Sequence, residues 1–386
     1  MEVDVTKFQN HNETGEKYKI CLWGIDSPYC FEHVKEFSGE FNVFSVVLGR
    51  VFGFNFDIQI INPFKKESLL FTIFRILNVA RVMYLFLKYD RKCDCHLLHY
   101  LTLPYALAIA LLPLKKPIAY FVYGADVIDP EGFQKKLVKK ALKRVDVIFC
   151  LTRSFYTKYI VNKYGIDEKK IVPIWWSPIN PSFKRFDDKT IENLRKKWNL
   201  TKDYVIFSPR ATLEFYNHHL LIDGVALLDK DLKEKVQIVI TGFGDSGYRR
   251  RLVEQGKKEG IEVVDLGRIL TPEEMAEIYN ISIITSNISN GDDLGRSTFE
   301  AIMCGSILLL NKNSRPYQEI YRDGKYCKMV ELKREDIARS IEFILYNTDA
   351  LKDEEERLRI INIVNWDRNK SKIIECIKKM IEEIKR

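Results

Sequence analysis

Residues 281–310 read ISIITSNISNGDDLGRSTFEAIMCGSILLL and have three parts. The apolar run over 281–285 predicts a strand that leads into a polar Ser/Asn/Gly/Asp loop. A short helix is predicted to begin near Arg296 and to end at Gly305, where glycine can supply a left-handed cap. The all-apolar run 307–310 predicts a buried parallel strand. This succession is the unit with which α/β proteins hold anions, because the free N–H groups of the first helical turn point at the ligand.

Two acidic residues in this stretch, Asp292 on the loop and Glu300 in the helix, lie eight positions apart. Both can face one crevice at the carboxyl end of the strand. The alternative is that these acids, with Asp293, are solvated surface residues, since most charged side chains are exposed. Gly295 and the two hydroxyl residues that follow Arg296 favour the first interpretation, because they suit a tight anion-binding turn.

The same stretch resembles the group 1 (family 4) retaining glycosyltransferases, whose signature is an acid, seven residues and then Glu-Ala-Met-Ala-x-Gly. Here Asp292 takes the first position and Glu300 opens Glu-Ala-Ile-Met-Cys-Gly. The resemblance implies an α/β fold of GT-B architecture, with two Rossmann-like domains facing across a cleft. It also implies that Glu300 binds the donor's ribose and that Asp292 lies against the donor sugar. The diphosphate would be held by the loop and helix start, at Gly295, Arg296, Ser297 and Thr298.

Composition sets limits on the class of protein. A chain of 386 residues with 46% hydrophobic and 30% charged residues predicts a globular protein of two domains. The net charge of +8 is compatible with anionic ligands or membrane surfaces, and no nucleic-acid-binding motif is present. Eight scattered cysteines without a C-x-x-C pair predict reduced thiols and a cytoplasmic location. Neither a signal peptide nor a transmembrane segment is predicted.

The first domain opens with a predicted strand over 18–24, a loop, a helix and a second strand over 41–48, which is how a doubly wound sheet begins. The resemblance extends to Asp-Ser27-Pro in the loop, where Tyr29 replaces the family's His. It extends also to Tyr123-Gly124-Ala125-Asp126, which stands where the family has His-Gly-Ser-Asp, with Tyr123 in the place of His and Ala125 in the place of Ser. Ser27, Tyr123, Gly124 and Asp126 are therefore expected on the acceptor side of the cleft.

Two helical segments of the first domain can each be interpreted in two ways. The segment 69–87 is strongly apolar, and either packs on the sheet or contacts lipid. The segment 134–144, QKKLVKKALKR, carries six basic residues opposite an apolar face. It is either a solvated helix or a peripheral contact with an anionic membrane through Lys135–Arg144, which would place the protein at the inner membrane face. His96 and His99 are expected on a strand, where they would point to opposite faces.

The second domain begins with a predicted strand over 204–208, followed by Pro209 and Arg210. An arginine that leaves a strand at a switch point suits a diphosphate, because its fork can hold two oxygens. The resemblance implies a lysine five residues later, but Phe215 stands there. Either Arg296 substitutes for that lysine, or the site has one fewer fixed charge.

A G-x-G-x-x-G motif follows the next predicted strand, at Gly242, Gly244 and Gly247, with Asp265 about twenty residues on. By itself it predicts a nicotinamide- or flavin-binding domain. The motif does not open its domain, however, and the family carries a Gly-x-Gly loop for the nucleotide at this position. The resemblance therefore implies donor binding by Gly242, Gly244 and the turn at Arg268 and Ile269.

Together these features predict a domain over 1–182, a donor-binding domain over 183–366 and a final helix over 367–386. The resemblance implies that this helix crosses back to the first domain. The expected function is sugar transfer, with retention, from a nucleoside-diphosphate sugar to a hydroxyl on a lipid-linked or cell-surface glycan acceptor. The expected catalytic residues are Asp292, Arg210 and Glu300, with no metal and no cofactor. The alternatives are a non-catalytic sugar-nucleotide-binding protein and a sugar-nucleotide epimerase on the same fold.

Overall fold

A computed structural model describes residues 17–49, 53–61, 69–291 and 294–385, with side chains from residue 73 onward in the segment that begins at 69. Asp292, the acid expected against the donor sugar, lies outside the described residues. The chain divides into two compact units. The first unit is Met1–Pro178 with Trp366–Arg386, and the second is Ile179–Asn365.

The first unit is built on a sheet whose described strands are all parallel. In chain order they are β1 (Lys19–Ile25), β2 (Asn42–Leu48), β3 (Ile58–Ile60), β4 (Cys95–His99), β5 (Ile118–Phe121), β6 (Val147–Cys150) and β7 (Ile171–Pro173). Their order across the sheet is β3-β2-β1-β4-β5-β6-β7. The order reverses between β1 and β4, which makes that point the switch point of a doubly wound sheet.

Helices cover both faces of this sheet. They are α1 (Pro28–Phe37), α2 (Leu69–Asp90), α3 (Leu103–Leu111), α4 (Ala125–Ile128), α5 (Gly132–Arg144) and α6 (Arg153–Tyr156), and α6 continues as a π-helical segment over Thr157–Asn162. Apolar residues of α2, α3 and α5 form one core with the sheet. The other face is covered by α1 and by the last helix of the chain, Trp366–Lys385, whose Ile373 and Ile377 are fully buried.

The histidines of β4 lie on the two faces of the sheet, as the strand assignment predicts. His96 accepts a hydrogen bond from Nε1 of Trp23 at 3.0 Å and contacts Asp90 at 3.2 Å through its other ring nitrogen. His99 contacts His33 and the Tyr123 hydroxyl on the opposite face. Both histidines are fully buried, so they are structural residues of the sheet.

The second unit repeats the architecture with a parallel sheet in the order β10-β9-β8-β11-β12-β13. Its described strands are β8 (Tyr204–Ser208), β9 (Val236–Ile240), β10 (Glu262–Asp265), β11 (Ile284–Asn287), β12 (Ile307–Asn311) and β13 (Cys327–Val330). This is the strand order of the Rossmann fold, with its switch point between β8 and β11. The predicted α/β class with two Rossmann-like parallel sheets is thus confirmed.

The helices of the second unit connect these strands. They are α7 (Asp188–Lys197), α8 (His218–Ala226), α9 (Lys230–Lys233), α10 (Ser246–Glu259), α11 (Pro272–Ile281), α12 (Arg296–Cys304), α13 (Arg315–Ile320), α14 (Arg334–Tyr346), α15 (Thr348–Leu351) and α16 (Glu354–Ile363), and the last helix, Trp366–Lys385, is α17. The strands β9 and β12 are buried along their whole length, as expected of a sheet covered on both faces.

Residues 281–310, which were quoted first, fold nearly as predicted. Helix α12 begins at Arg296 and ends at Gly305, whose φ of 91° provides the left-handed cap. The strand predicted over 281–285 is wrong in its start, because Ile281 is the last residue of α11 and β11 begins at Ile284. The reason is that α11 is strongly nucleated by a capping box between Thr271 and Glu274, and its buried face includes Ile281.

Candidate active site

The N-terminus of α12 lies at the switch point of the second unit, beyond the carboxyl ends of β8 and β11. No side chain caps the helix's first N–H groups, and Gly295 occupies the N-cap position. The backbone of this turn is fixed by a side chain of the helix, because the Thr298 hydroxyl donates to the Gly295 carbonyl at 2.8 Å. Asn287 donates to the Ser297 hydroxyl at 2.8 Å, which anchors the turn to the end of β11. The result is a rigid helix start that suits an anion.

Arg210 lies directly against this helix start. A Cβ atom at Gly295 would lie 2.5 Å from Nη1 of Arg210, so a larger residue there would displace the guanidinium. The guanidinium donates to the Tyr216 hydroxyl at 2.9 Å and lies 4.6 Å from the centroid of that ring. The structure therefore brings together two predicted donor-binding elements, Arg210 and the turn at Gly295, and holds the arginine in one orientation.

Glu300 lies one turn into α12 and is 8% exposed. One carboxylate oxygen lies 3.4 Å from Nε of Arg296, and the other accepts from the Tyr279 hydroxyl at 3.2 Å. Burial raises the pKa of Glu300, while the charges of Arg296 and Arg210 oppose that rise. Since a carboxylate offers about four acceptor positions, Glu300 retains capacity for the paired hydroxyls of a ribose.

The position where the family's lysine is expected carries an aromatic side chain. Phe215 is 43% exposed and brings no charge. Arg296 is a second cation close to Glu300, with its side chain 13% exposed. Arg296 is thus a second cation near Glu300, and its substitution for the lysine stays a prediction beside the alternative of one fewer fixed charge.

The two predicted glycines after β9 allow three loops to approach each other closely. A Cβ at Gly242 would lie 1.9 Å from the backbone nitrogen of Arg268, and the Gly242 N–H donates to the Arg268 carbonyl at 3.1 Å. Gly244 has a φ of 117°, and a Cβ there would lie 2.6 Å from the nitrogen of Thr212. Glycine is therefore required at both positions by backbone packing, whatever the ligand.

The remaining residues of these loops are engaged with one another. Asp265, the acid of the dinucleotide-binding motif, accepts from Nε of Arg249 and from the Gly267 N–H, both at 2.8 Å. The Arg268 guanidinium makes two 2.7 Å hydrogen bonds to Glu274. Those bonds lower the pKa of Glu274 to about 2. Arg268 thus offers a ligand its backbone more readily than its charge, and Ile269 beside it is 58% exposed.

His218 secures the loop that carries Arg210. One ring nitrogen lies 2.8 Å from the Ser208 hydroxyl, and Nε2 lies 2.9 Å from the Ala211 carbonyl. Because a carbonyl only accepts, Nε2 carries the proton in the neutral ring. Burial lowers the pKa of His218 to about 4, and the charge of Arg210 opposes protonation further.

Acidification is expected to destabilise the protein through His218. The unfolded chain binds this proton below about pH 6.5 and the folded chain only below about pH 4, so stability is complete above pH 6.5 and is lost as the pH falls through that window. The difference corresponds to about 3 kcal/mol. Urea unfolding of wild type and His218→Gln between pH 7.5 and 4.5 measures it. The wild type should lose about 2–3 kcal/mol relative to the variant, and parallel pH curves would contradict the assignment.

The first-unit residues expected on the acceptor side lie at the carboxyl edge of its sheet. Ser27 caps α1 by accepting from the Cys30 N–H at 3.3 Å, and Gly124 has a φ of 106° at the start of α4. Asp126 is 4% exposed and accepts from the Leu101 N–H at 2.9 Å, so its carboxylate points inward and joins two loops. Burial raises the pKa of Asp126.

Sequence reasoning missed three side chains that hold this site. Tyr279 donates to Glu300, Tyr216 stacks on Arg210, and Asn287 fixes the Ser297 hydroxyl. Tyr216 stands six residues after Arg210, which is a local signal for a contact. Tyr279 appears in the sequence only as one apolar position of α11, so nothing in the pattern indicates that its hydroxyl reaches Glu300.

Comparison with known proteins agrees with this geometry. Residues 190–363 match the family described as glycosyl transferases group 1. No curated protein sequence matches the chain. Similar solved structures include Anabaena HepE in complex with UDP and glucose, with 15% identity and a TM-score of 0.75 over 94% of this chain and 100% of that one. Sucrose-phosphate synthase from Thermosynechococcus elongatus is 13% identical, with a TM-score of 0.73 over 95% and 100%.

A glycosyltransferase from Rickettsia africae is also similar, with 15% identity and a TM-score of 0.71 over 95% of this chain and 99% of that one. At these identities the likeness concerns the fold, which is shared over both units. The family match covers most of the second unit, where Arg210, the α12 turn and Glu300 come together. By sequence the second unit matches the group 1 glycosyltransferases, and by its fold the chain is similar to glycosyltransferases of GT-B architecture.

Proposed function

We propose that the protein transfers a sugar from a nucleoside-diphosphate sugar to a hydroxyl acceptor with retention of anomeric configuration. The observation that carries this proposal is the contact of the Arg210 guanidinium with Gly295 at the start of α12, with Glu300 one turn further on. A fixed cation, an uncapped helix start and a buried carboxylate form a site for a diphosphate joined to a ribose.

The chemistry needs a stabilised leaving group. As the bond between the sugar and the diphosphate breaks, negative charge grows on the diphosphate, and the sugar gains oxocarbenium character. Arg210 and the N–H groups of α12 are fixed before the reaction, so they stabilise that charge without reorganising. The turn behind Gly295 is held by Thr298 and Asn287, which keeps the donors in place.

The rest of the mechanism follows the retaining route without a protein nucleophile. The acceptor hydroxyl attacks on the face that the diphosphate leaves, and the departing phosphate takes the hydroxyl proton. Asp292 orients the donor sugar. Neither a metal nor a cofactor takes part in this proposal, because the charges of Arg210 and of Arg296 near Glu300 occupy the role that a cation would have.

The similar structures support the choice of donor class. HepE was solved with UDP and glucose, with UDP alone and with UDP-glucose. A further similar structure is a UDP-forming trehalose-phosphate synthase from Burkholderia xenovorans. These ligands and activities belong to those proteins, and they favour a nucleoside-diphosphate sugar as the donor of this chain.

The stereochemistry of the product tests the retaining mechanism. We expect proton NMR of the first-formed glycoside to show the same anomeric configuration as the donor, at the same rate with and without a chelator. A product of inverted configuration would contradict the proposal, and a chelator-sensitive rate would contradict its metal-free form. Interconversion of the donor with its epimer, without transfer, would instead identify the epimerase alternative.

We further propose that the first unit docks on an anionic membrane from the cytoplasmic side, where a lipid-linked acceptor is available. Helix α5 exposes five lysines opposite a buried face of Leu137, Val138, Ala141 and Leu142. Arg144, counted with them in the sequence, instead donates to the Ile109 carbonyl at 2.7 Å and to that of Leu114 at 3.1 Å, so it serves the fold. The lysines remain available to lipid head groups.

Helix α2 adds an apolar surface on the same side of the sheet, since α3 packs against both α2 and α5. Ile76, Leu77 and Tyr84 are 66%, 54% and 63% exposed. Arg75 and Arg81 are exposed beside them, and the described part of α2 has no exposed acid. Such a surface suits the boundary between head groups and acyl chains. Among the described helices, none is long and apolar enough to cross a membrane.

Charge reversal on α5 is expected to weaken binding to vesicles. Each basic residue near an anionic surface contributes about 1 kcal/mol, so Lys136→Glu with Lys139→Glu should reduce binding by more than about tenfold. Co-sedimentation with phosphatidylcholine vesicles, with and without phosphatidylglycerol, measures this. Lys257→Glu with Lys258→Glu on α10 is the matched control, and it should leave binding within about twofold. Equal binding of the two double variants to the vesicles would contradict docking through α5.

A further inference from the structure

Four aromatic side chains gather at the carboxyl edge of the first unit's sheet. They follow four different strands, with Tyr29 after β1, Tyr100 after β4, Tyr123 after β5 and Trp176 after β7. Ring centroids are 4.8 Å apart for Tyr123 and Trp176, and 5.5 to 5.7 Å apart for Tyr29 with Tyr123, Tyr29 with Trp176 and Tyr100 with Tyr123. All four residues are half-buried. We call this cluster the aromatic platform.

The aromatic platform occupies the switch point of the first sheet, between β1 and β4. Ligands of doubly wound sheets bind at this point, in the crevice beyond the carboxyl ends of the strands. The corresponding place in the second unit holds Arg210 and α12. The first unit therefore has a candidate binding surface of its own, with aromatic rings where the second has cations.

The backbone at Tyr100 is strained to build this surface. Tyr100 has a φ of 63°, a left-handed conformation that costs a side chain of this size about 1–2 kcal/mol. The neighbouring Leu101 N–H is held by the carboxylate of Asp126, at 2.9 Å. Strain of this kind persists where the surrounding structure fixes it, and it occurs mainly at functional sites. This backbone conformation places the Tyr100 ring beside the Tyr123 ring.

A buried chain of hydrogen bonds fixes the centre of the aromatic platform. Nε2 of His33 lies 2.5 Å from the Trp176 carbonyl, and because a carbonyl only accepts, that nitrogen carries the proton. Nδ1 of His33 then accepts from Nε2 of His99 at 3.1 Å, and Nδ1 of His99 accepts from the Tyr123 hydroxyl at 3.0 Å. Both histidines are fully buried. The chain orients the Tyr123 ring and ties it to the Trp176 backbone.

The chemistry of the surface identifies its ligand. Tyrosine and tryptophan present an apolar ring with a polar tip, so they bind molecules that have both an apolar face and polar groups at the edge. A pyranose ring is such a molecule, with C–H bonds on its faces and hydroxyl groups around its rim. We propose that the aromatic platform binds the face of a pyranose ring, and that the acceptor is therefore a glycan or glycoside. This inference rests on the proposed function and adds the substrate class of the acceptor.

Saturation-transfer NMR on the full chain tests this without any donor. The probes are the methyl glycosides of glucose, galactose, mannose and N-acetylglucosamine, with hexanol as a probe for a simple lipid alcohol. We expect at least one glycoside to receive saturation on the protons of one ring face. Trp176→Leu and Tyr29→Leu keep apolar volume but remove the ring, and they should lower affinity roughly three- to tenfold. Tyr346→Leu, which removes an exposed tyrosine of α14, should leave it unchanged.

The outcomes separate this inference from the proposed function. No saturation of any glycoside in the wild type, or equal saturation in both platform variants, would overturn it. A signal from hexanol that depends on the aromatic platform, with none from a glycoside, would overturn it in favour of a lipid alcohol. Calorimetric binding of UDP, GDP and ADP to the same samples reports on the second unit. Nucleotide binding without glycoside binding would leave the donor proposal standing alone.

Discussion

The Arg210→Ala variant is expected to retain its fold and to lose turnover by about a hundred- to a thousandfold, the cost of removing one fixed donor from a site where negative charge develops. The guanidinium is placed for this role by its contact with Gly295 and by Tyr216, which accepts from it at 2.9 Å and stacks beneath it. The contribution is large because Arg210 is mostly shielded from water and does not need to reorganise as the diphosphate leaves.

Steady-state release of nucleoside diphosphate measures this effect. Arg251→Ala is the matched control, since Arg251 is also in the second unit and pairs with Glu214, but its side chain is 62% exposed. The control should keep turnover within about twofold of the wild type, because exposed ion pairs contribute little. Normal turnover in Arg210→Ala, with circular dichroism showing an intact fold, would remove Arg210 from the catalytic machinery.

Glu300→Gln is expected to weaken binding of the nucleotide by about a hundredfold, because hydrogen bonds to a charged group contribute about 1.5–3 kcal/mol each and the ribose offers two hydroxyls. Glutamine keeps the volume of the side chain and can still contact Tyr279. It removes the negative charge that faces Arg296 at 3.4 Å, so the local potential becomes more positive. The loss of affinity should therefore arise from contacts with the ribose and not from contacts with the diphosphate.

Calorimetry with two ligands separates these contributions. Glu300→Gln should bind inorganic diphosphate at least as well as the wild type and bind the nucleoside diphosphate more weakly, whereas Arg210→Ala should weaken both. Glu192→Gln, which alters an exposed glutamate of α7, controls for the substitution itself. If Glu300→Gln lost affinity equally for both ligands, Glu300 would act on the diphosphate or on the fold, and its assignment to ribose would be wrong.

Much of the fold could be predicted because its signals are local. The run over 204–208 became β8 without a shift, and the glycine at 305 ended α12 as its freedom of φ predicts. The start of β11 was predicted too early. The end of α11 at Ile281 and the start of β11 at Ile284 are both apolar, so hydropathy does not mark the boundary between them. Ser282, which caps α11, is the one polar residue between them.

The candidate site was harder to predict because its contacts join distant parts of the chain. The sequence indicates that Arg210 and Gly295 belong to the same kind of site, but only the folded sheet shows that the guanidinium lies directly against that glycine. Similarly, the pattern QKKLVKKALKR groups Arg144 with the membrane-facing lysines. Its hydrogen bonds to carbonyls of α3 and of the loop after α3 depend on how α5 packs against that helix. The role of Asp292 stays a prediction, since it lies outside the described residues.

The central claim is that Arg210, the α12 turn and Glu300 form the donor site of a working transferase. Its most direct test is the release of nucleoside diphosphate from a panel of nucleotide sugars by the purified full chain, with and without lipid extract and with a chelator. We predict release from one donor, insensitive to the chelator and increased by lipid extract. Binding of a nucleotide sugar without release under any condition would contradict the claim and identify a sugar-nucleotide-binding protein that does not catalyse transfer.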